Sequence, residues 1–281
     1  MGPISNQYIS DQEIEQFLEI IFNHYGYDFR EYSRAHIKRR ILHWLHLQDI
    51  PTLQAAQEQI PQDIPLATAL IRQFSICVTE MFRDPQFYLK FRQVAIPLLR
   101  TIPFIRIWNA GCASGEEVYS LAILLKEEGL YSRCRIYATD FNEMNLALAR
   151  DGIYKNERMR EYSINYRLSG GKEDFSTYYY SQYKAAIMHQ NLKQNIVWAN
   201  HNLVTDWVFN EFDLIICRNV MIYFTRPLRD KVFNLFVASL SPQGILCLGT
   251  KESLKFTLVQ DQFSILSESE KIYKRKLMHH S

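Results

Sequence analysis

Apolar residues in the first hundred positions recur at helical spacing. From Ser10 to Gly26, Ile14, Phe17, Leu18, Ile21 and Phe22 fall at i, i+3, i+4, i+7 and i+8, which predicts a helix with one buried face; Ser10 and Glu13 have the spacing of a capping box. The stretch SRAHIKRRILHWLHLQD predicts a second helix with Ile37, Ile41, Trp44 and Leu45 on one side and Arg34, Lys38, Arg39 and Arg40 elsewhere. Pro51, Pro61 and Pro65 divide the following residues into short helices. Asp84-Pro85 reads as the N-cap and first residue of a helix running to about Leu99. No strand pattern precedes Ile105.

After Ile105 the pattern changes to strands alternating with helices, which indicates parallel β-α-β units. Strands fit IRIWNA, CRIYATD, NIVWANHNL, FDLIICRN and GILCLGT, with helices at about 116–128, 142–150 and 226–240. The final FSILSESEKIYKRK alternates like a strand and is expected to return antiparallel at the sheet edge. Residues 153–190 are polar and tyrosine-rich and break the alternation; an insertion of that length in a compact sheet is expected to be a functional subdomain. The chain therefore reads as a helical N-terminal domain (1–82), a linker helix (83–104) and a doubly wound, Rossmann-like α/β domain (105–281) carrying the insertion.

Composition adds limits. The 281 residues are 47% hydrophobic, ample for a packed core, and the formal net charge of +2 gives no global polyanion-binding signature, so any basic surface is local. Cys77, Cys112, Cys134, Cys217 and Cys247 are dispersed, without the pair or histidine spacing of a zinc site; no metal is expected and the thiols read as reduced and mostly core. The N-terminus lacks an apolar signal region, and no apolar run approaches the roughly 18 residues that span a bilayer. These features lead to the expectation of a cytoplasmic protein without membrane insertion.

The stretch from Ile105 to Gly129 carries the chemistry. Its strand breaks at Gly111, passes through small residues and becomes a helix opening on Glu116 and Glu117. A strand, glycine turn and helix usually suggest a phosphate site, yet two carboxylates would repel a phosphate. A ligand with an amino acid's ammonium and carboxylate and no phosphate accepts both features, and S-adenosylmethionine is such a ligand. Asp140 ends the next strand 25 residues after Gly115, where an acid in a doubly wound sheet accepts ribose hydroxyls. On these residues alone, a dinucleotide enzyme and a coincidence of structure remain open.

Further segments narrow the choice. TEMFR (79–83), WNAGCASGEEVYSLA (108–122), ATDFNEMNLALARDGIY (138–154), HNLV (201–204) and FDLIICRNVMIYF (212–224) resemble, in order, the signatures of the CheR family of chemotaxis receptor glutamate O-methyltransferases. Two departures are visible: Met81 stands where the family often has a second phenylalanine, and Ala113-Ser114-Gly115 where it has a serine-threonine-glycine turn. Both retain size or backbone freedom.

The resemblance implies a class I methyltransferase fold with a small inserted β-subdomain, S-adenosyl-L-methionine as cofactor with S-adenosyl-L-homocysteine as product, and methyl-accepting chemotaxis receptors as partners of a monomeric enzyme recruited to receptor arrays at the inner face of the membrane. Carried onto this chain, it implies cofactor contacts at Cys77, Thr79, Arg83, Gly111, Glu116, Glu117, Asp140, Asn202, Leu203, Arg218 and Asn219, and catalytic roles for Arg83 and Tyr223. Transfer to a carboxylate needs no general base, since the acceptor's ordinary pKa of about 4.3 leaves it ionised at neutral pH. Arg34, Lys38, Arg39 and Arg40 form the expected docking face for glutamate-bearing receptor helices. No aromatic platform interleaves with these cations, so nucleic acid is not expected. The insertion's Gly170, Gly171, Glu173 and Asp174 offer no arginine-rich pocket for an acidic peptide terminus, which predicts independence from a receptor tail. A methyltransferase of the same fold acting on another protein, or a non-catalytic receptor-binding homologue, is the alternative.

Overall fold

The computed structural model describes residues 9–75 and 79–277. These residues form two compact units, the first made of those up to 75 together with 223–229, the second of the rest.

The first unit holds α1 (Asp11–Tyr25), α2 (Arg34–Leu47), α3 (Leu53–Gln59) and α4 (Ile64–Phe74). Ser10 forms both halves of the predicted capping box with Glu13, its hydroxyl accepting the Glu13 N–H at 3.3 Å and its own N–H reaching the Glu13 carboxylate at 2.9 Å. Gly26 ends α1 at φ 76°, a conformation that costs glycine nothing. Of the predicted stripes, Ile14, Phe17, Leu18 and Ile21 on α1 and Ile37, Ile41, Trp44 and Leu45 on α2 are buried, while Phe22 is half-buried beneath the Arg30 guanidinium. The rings of Phe17 and Trp44 meet at 6.0 Å. A distant segment completes this unit. The Ser33 N–H donates to the Tyr223 carbonyl at 2.8 Å, the Thr225 N–H donates to the Glu31 carbonyl, and Tyr32 and Phe224 form an isolated antiparallel bridge.

The second unit begins with α5 (Pro85–Val94) and α6 (Ile96–Leu99), the expected single helix broken near Pro97. Asp84 is the N-cap of α5 and Pro85 its first residue, as expected, but Asp84 lies at φ 55° without a side-chain cap bond, because its carboxylate is taken by Arg218 at 2.9 Å. There follow β1 (Ile105–Ala110), α7 (Glu116–Glu127), β2 (Cys134–Asp140) and α8 (Glu143–Asp151). The insertion then contributes β3 (Ile153–Lys155), α9 (Asn156–Leu168), β4 (Tyr179–Gln182) and β5 (Ala185–Met188). The chain returns through β6 (Ile196–Asn200), β7 (Phe212–Cys217), α10 (Arg226–Ser239), whose first residues belong to the first unit, β8 (Leu240–Leu248), β9 (Phe263–Ser267) and β10 (Ile272–Arg275).

The main sheet has the order β6-β2-β1-β7-β8-β10-β9. Its first five strands are parallel, with β1 flanked by β2 and β7, so the strand order reverses direction at β1 and β7. This is the doubly wound α/β arrangement, whose ligands sit beyond the carboxyl ends of the strands at the reversal. The C-terminal alternation is a hairpin rather than one returning strand: β10 pairs antiparallel with β8, and β9 takes the edge. Inside the insertion, β3-β5-β4 form a separate antiparallel sheet. Ile107, Ile136, Leu214, Ile216 and Ile245 of the main sheet pack with Val118, Leu121 and Leu125 of α7 and with Met159, Tyr162 and Tyr166 of α9 in one core.

Candidate functional site

The glycine turn after β1 is bent by residues in the left-handed region. Gly111 has φ 76°, and a Cβ there would fall 2.6 Å from Val220 Cγ2; at Gly115, φ 92°, it would fall 2.9 Å from the Ala149 Cβ. Ala113, between them, adopts φ 48° despite its side chain, a conformation that costs roughly 1–2 kcal/mol. The bond it gains is with the acid at the end of β2: the Ala113 N–H donates to Asp140 Oδ2 at 2.9 Å, while Oδ1 accepts from the Asn142 N–H at 2.9 Å and from Asn145 at 3.3 Å. Asp140 is 7% exposed, and burial pushes its carboxyl above the usual carboxylate range against these three bonds. Of about four accepting directions on a carboxylate, three are used. Oδ2 retains one for a hydroxyl.

The two acids opening α7 divide. Glu116 is buried and points into the insertion: its Oε1 accepts from Tyr162 at 3.3 Å and from Arg158 at 3.4 Å, its Oε2 from Ser114 at 2.7 Å, and burial raises its pKa. Glu117 accepts from Asn109 Nδ2 at 2.9 Å and from Arg218 Nη1 at 2.8 Å. Both carboxylates thus have protein partners, and both lie at the positive end of the helix dipole.

Arg218, expected at the cofactor, has a fully buried side chain. Its guanidinium lies 4.0 Å above the Phe87 ring and donates to Glu117, to Asp84 and to the Arg83 carbonyl. It sets the positions of other site residues. Neighbouring Asn219 lies at φ 62°, its N–H held by Glu252. That carboxylate, itself buried, also accepts from the Val220, Met221 and Gly249 N–H groups at 2.7–3.0 Å. The turn after β7 is therefore fixed from the end of β8.

The segment from Thr79 to Asp84 contains no regular element. Met81 and Phe82 are fully buried, and Phe82 and Asp84 both have positive φ, on either side of half-buried Arg83. Backbone in such regions persists only where its surroundings hold it. Here the Phe82 N–H donates to Ser120, and α9 supplies Arg158 to the Thr79 carbonyl at 2.7 Å and Asn165 to the Met81 carbonyl at 3.3 Å. Glu80 faces Glu161 of α9, and burial together with that charge pushes the Glu80 carboxyl up.

Asn202 and Leu203 lie just beyond β6. The Asn202 side-chain oxygen accepts the Val204 N–H at 3.0 Å, leaving its NH2 group without a protein partner among the described residues; Leu203 is largely buried. Tyr223 falls in the first unit, its ring 4.4 Å from His36 of α2. Of the α2 cations, Arg34 pairs with Glu15 at 3.2 Å, Lys38 donates to the Ile9 carbonyl at 2.7 Å, Arg40 is half-buried and Arg39 is exposed. Cys77 lies outside the described residues. Among those described, no group of three or more His, Cys, Asp or Glu could hold a metal ion, and no helix is long and apolar enough to cross a membrane.

Gly111, Glu117, Asp140, Arg218 and Asn219, expected from the sequence at the cofactor, lie around the carboxyl ends of β1, β2 and β7; Arg158, Tyr162, Asn165 and Glu252 were not expected there. The three α9 residues follow one another at i, i+4 and i+7, a polar stripe that periodicity could have shown. Glu252 has no local signal.

Comparison with known proteins agrees with this geometry. Residues 12–75 match the profile described as CheR methyltransferase, all-alpha domain, and residues 77–272 match CheR methyltransferase, SAM binding domain. Cher3 of Pseudomonas putida, named as a candidate methyltransferase, is 48% identical over 266 residues, 95% of this chain and 97% of that protein. A chemotaxis protein methyltransferase of Listeria innocua is 31% identical over 241 residues, covering 85% of this chain and 88% of its own. Chemotaxis protein methyltransferase 1 of Vibrio cholerae is 28% identical over 267 residues, 92% of this chain and 94% of its own.

Proposed function

The chain belongs to the CheR methyltransferase family, and from that premise we propose that it methylates glutamate side chains on the cytoplasmic helices of chemoreceptors, forming methyl esters. The observation that supports this most directly is the buried Asp140 at the end of β2, tied to the glycine turn through Ala113 at 2.9 Å within the SAM binding region.

S-adenosylmethionine, when bound, supplies the sulfonium methyl group. The residues that would hold it suit its parts. Oδ2 of Asp140 has an accepting direction for a ribose hydroxyl, the Asn202 amide offers donors to a base edge, and Leu203 offers an apolar side. Thr79 and Arg83 stand on the segment braced by α9, and a planar guanidinium suits either a methionine or a substrate carboxylate. Tyr223 is the candidate for orienting the acceptor through its hydroxyl. Glu116, Glu117 and Arg218 contribute by fixing the turns around these groups. A glutamate acceptor arrives ionised, so the chain's residues have only to align it and exclude water, an effect worth roughly 7–11 kcal/mol in well-oriented systems. The exposed Arg39 and its α2 neighbours favour an acidic partner helix.

The test is incorporation of labelled methyl groups from S-adenosylmethionine into purified receptor cytoplasmic fragments. Base-labile label on glutamates is expected, and Asp140→Ala should bind the cofactor roughly tenfold more weakly in calorimetry. Label stable to mild base, or label on no receptor, would overturn the substrate assignment; unchanged affinity in Asp140→Ala would overturn the site.

A further inference from the structure

We propose that α9 of the insertion is the positioning element for the cofactor side of this enzyme, with Arg158 as its principal residue. The inference rests on the reading that Thr79, Arg83 and Asp140 face S-adenosylmethionine.

The segment from Thr79 to Asp84 lies outside the main sheet and outside any helix, so its buried carbonyl groups need partners from elsewhere. The Arg83 carbonyl accepts from Arg218, and the partners of the Thr79 and Met81 carbonyls come from one face of α9. Arg158, Tyr162 and Asn165 stand at i, i+4 and i+7, two turns of helix on one side. Arg158 Nη2 donates to the Thr79 carbonyl at 2.7 Å, Asn165 Nδ2 to the Met81 carbonyl at 3.3 Å, and the Tyr162 hydroxyl to Glu116 at 3.3 Å. Arg158 also reaches Glu116 at 3.4 Å and lies 4.9 Å above the Tyr162 ring. One guanidinium therefore joins the first residue of this segment to the first residue of α7.

Three further contacts extend the brace. The Tyr154 hydroxyl on β3 donates to the Ser114 carbonyl in the glycine turn at 2.8 Å. Tyr166 of α9 and Phe175 of the insertion pack edge-on against Phe82, with centroids 5.2 and 6.2 Å away. Phe82 and Asp84, at φ 54° and 55°, would relax toward ordinary backbone without these contacts, and Arg83 between them would move. The insertion is thus continuous with the wall of the candidate cofactor site, and its helix fixes where Thr79 and Arg83 stand.

The experiment compares cofactor affinity by calorimetry in the full chain for wild type, Arg158→Met, Arg158→Lys, Asn165→Ala and Asp140→Ala. Arg158→Met keeps the apolar stem and removes the donors. It should weaken S-adenosylmethionine binding about fivefold while the thermal midpoint stays within a few degrees of wild type. Arg158→Lys, which can still donate to the Thr79 carbonyl, should recover part of the loss, and Asn165→Ala should show a smaller loss of the same sign. A merely structural residue would lower the midpoint and leave the affinity of the folded protein alone. Wild-type affinity in folded Arg158→Met and Asn165→Ala, with Asp140→Ala weakened, would overturn the inference and leave the site reading standing. Wild-type affinity in all of them would overturn both. Should Arg158→Met not fold, Arg158→Lys and Asn165→Ala decide the question by the same criterion.

Discussion

Arg218 Nη1 lies 2.8 Å from Glu117 Oε2, although 101 positions separate the two residues, and the guanidinium is closed off from solvent by Phe87. The contact ties the turn after β7 to the start of α7, and through Asp84 to the start of α5. Removing one partner of such a buried group leaves the other charges uncompensated, which costs about 3–5 kcal/mol. Arg218→Ala should lower the chemical unfolding midpoint accordingly, before any effect on catalysis is read. A loss under about 1 kcal/mol in urea unfolding would show that Arg218 is not the brace described.

His36 gives the first unit a pH dependence of definite sign. It is buried against Tyr223, and burial together with the Arg40 and Arg39 charges lowers its pKa from 6.5 to about 4. The unfolded chain therefore binds this proton at a higher pH than the folded one does. The contribution is complete above pH 6.5, shrinks as pH falls toward 4, and changes no further below that; its size is no more than about 3 kcal/mol. Plotted as stability against pH, wild type should fall more steeply than His36→Gln between pH 6.5 and 4. Parallel curves would mean that His36 titrates normally.

The stripes of α1 and α2 and the alternation of parallel strands with helices were legible in the sequence because periodicity reports which face of an element is buried. Periodicity does not report the partner. Asp84 has the sequence of a helix cap, yet its carboxylate goes to Arg218. Residues 223–229 continue a strand-end motif, yet they pack with α2 and its flanking loop, a separation along the chain (194 positions between Glu31 and Thr225) that no local pattern reaches. Glu116 and Glu117 stood out in the sequence as acids opening a helix, while their use as anchors for α9 and Arg218 depends on side chains from other elements. The last fourteen residues of strand-like alternation concealed a turn, so one expected edge strand became a hairpin.

Docking and cofactor binding should separate by mutation. Arg34 and Lys38 already have partners within their own unit, so the α2 charge proposed for docking rests on Arg39, with Arg40 beside it. Reversing Arg39 and Arg40 to glutamate should raise the apparent KM for receptor and flatten its dependence on salt, while the affinity for S-adenosylmethionine is unchanged. An equal loss of cofactor affinity would mean that α2 serves the fold rather than the partner.

The insertion offers an edge strand, and what that edge lacks sets the last prediction. β4 is exposed along most of its length and pairs only with β5 in its own sheet, a geometry open to strand addition by a peptide. Before the strand, Lys172 is committed to Glu128 at 2.8 Å and is followed by Glu173 and Asp174, and after it Lys184 is a single exposed cation in the β4–β5 turn, so an acidic receptor terminus would find no arginine cluster among the described residues along this edge. Methylation of receptors with and without their C-terminal tails should therefore proceed at rates within a few-fold of one another. Deleting the insertion would be a poor test, since Phe175, Tyr178 and Met188 are buried in the core. A narrower change is available. The His189 N–H bonds to the Tyr178 carbonyl, so the ladder bonds fall at Tyr180 with Ile187 and at Gln182 with Ala185, and Ser181 turns its N–H outward. Ser181→Pro blocks that edge without removing a ladder bond. It should leave the methylation rate as it was; micromolar binding of a receptor tail peptide that disappears in Ser181→Pro would refute tail independence and assign the edge to the tail.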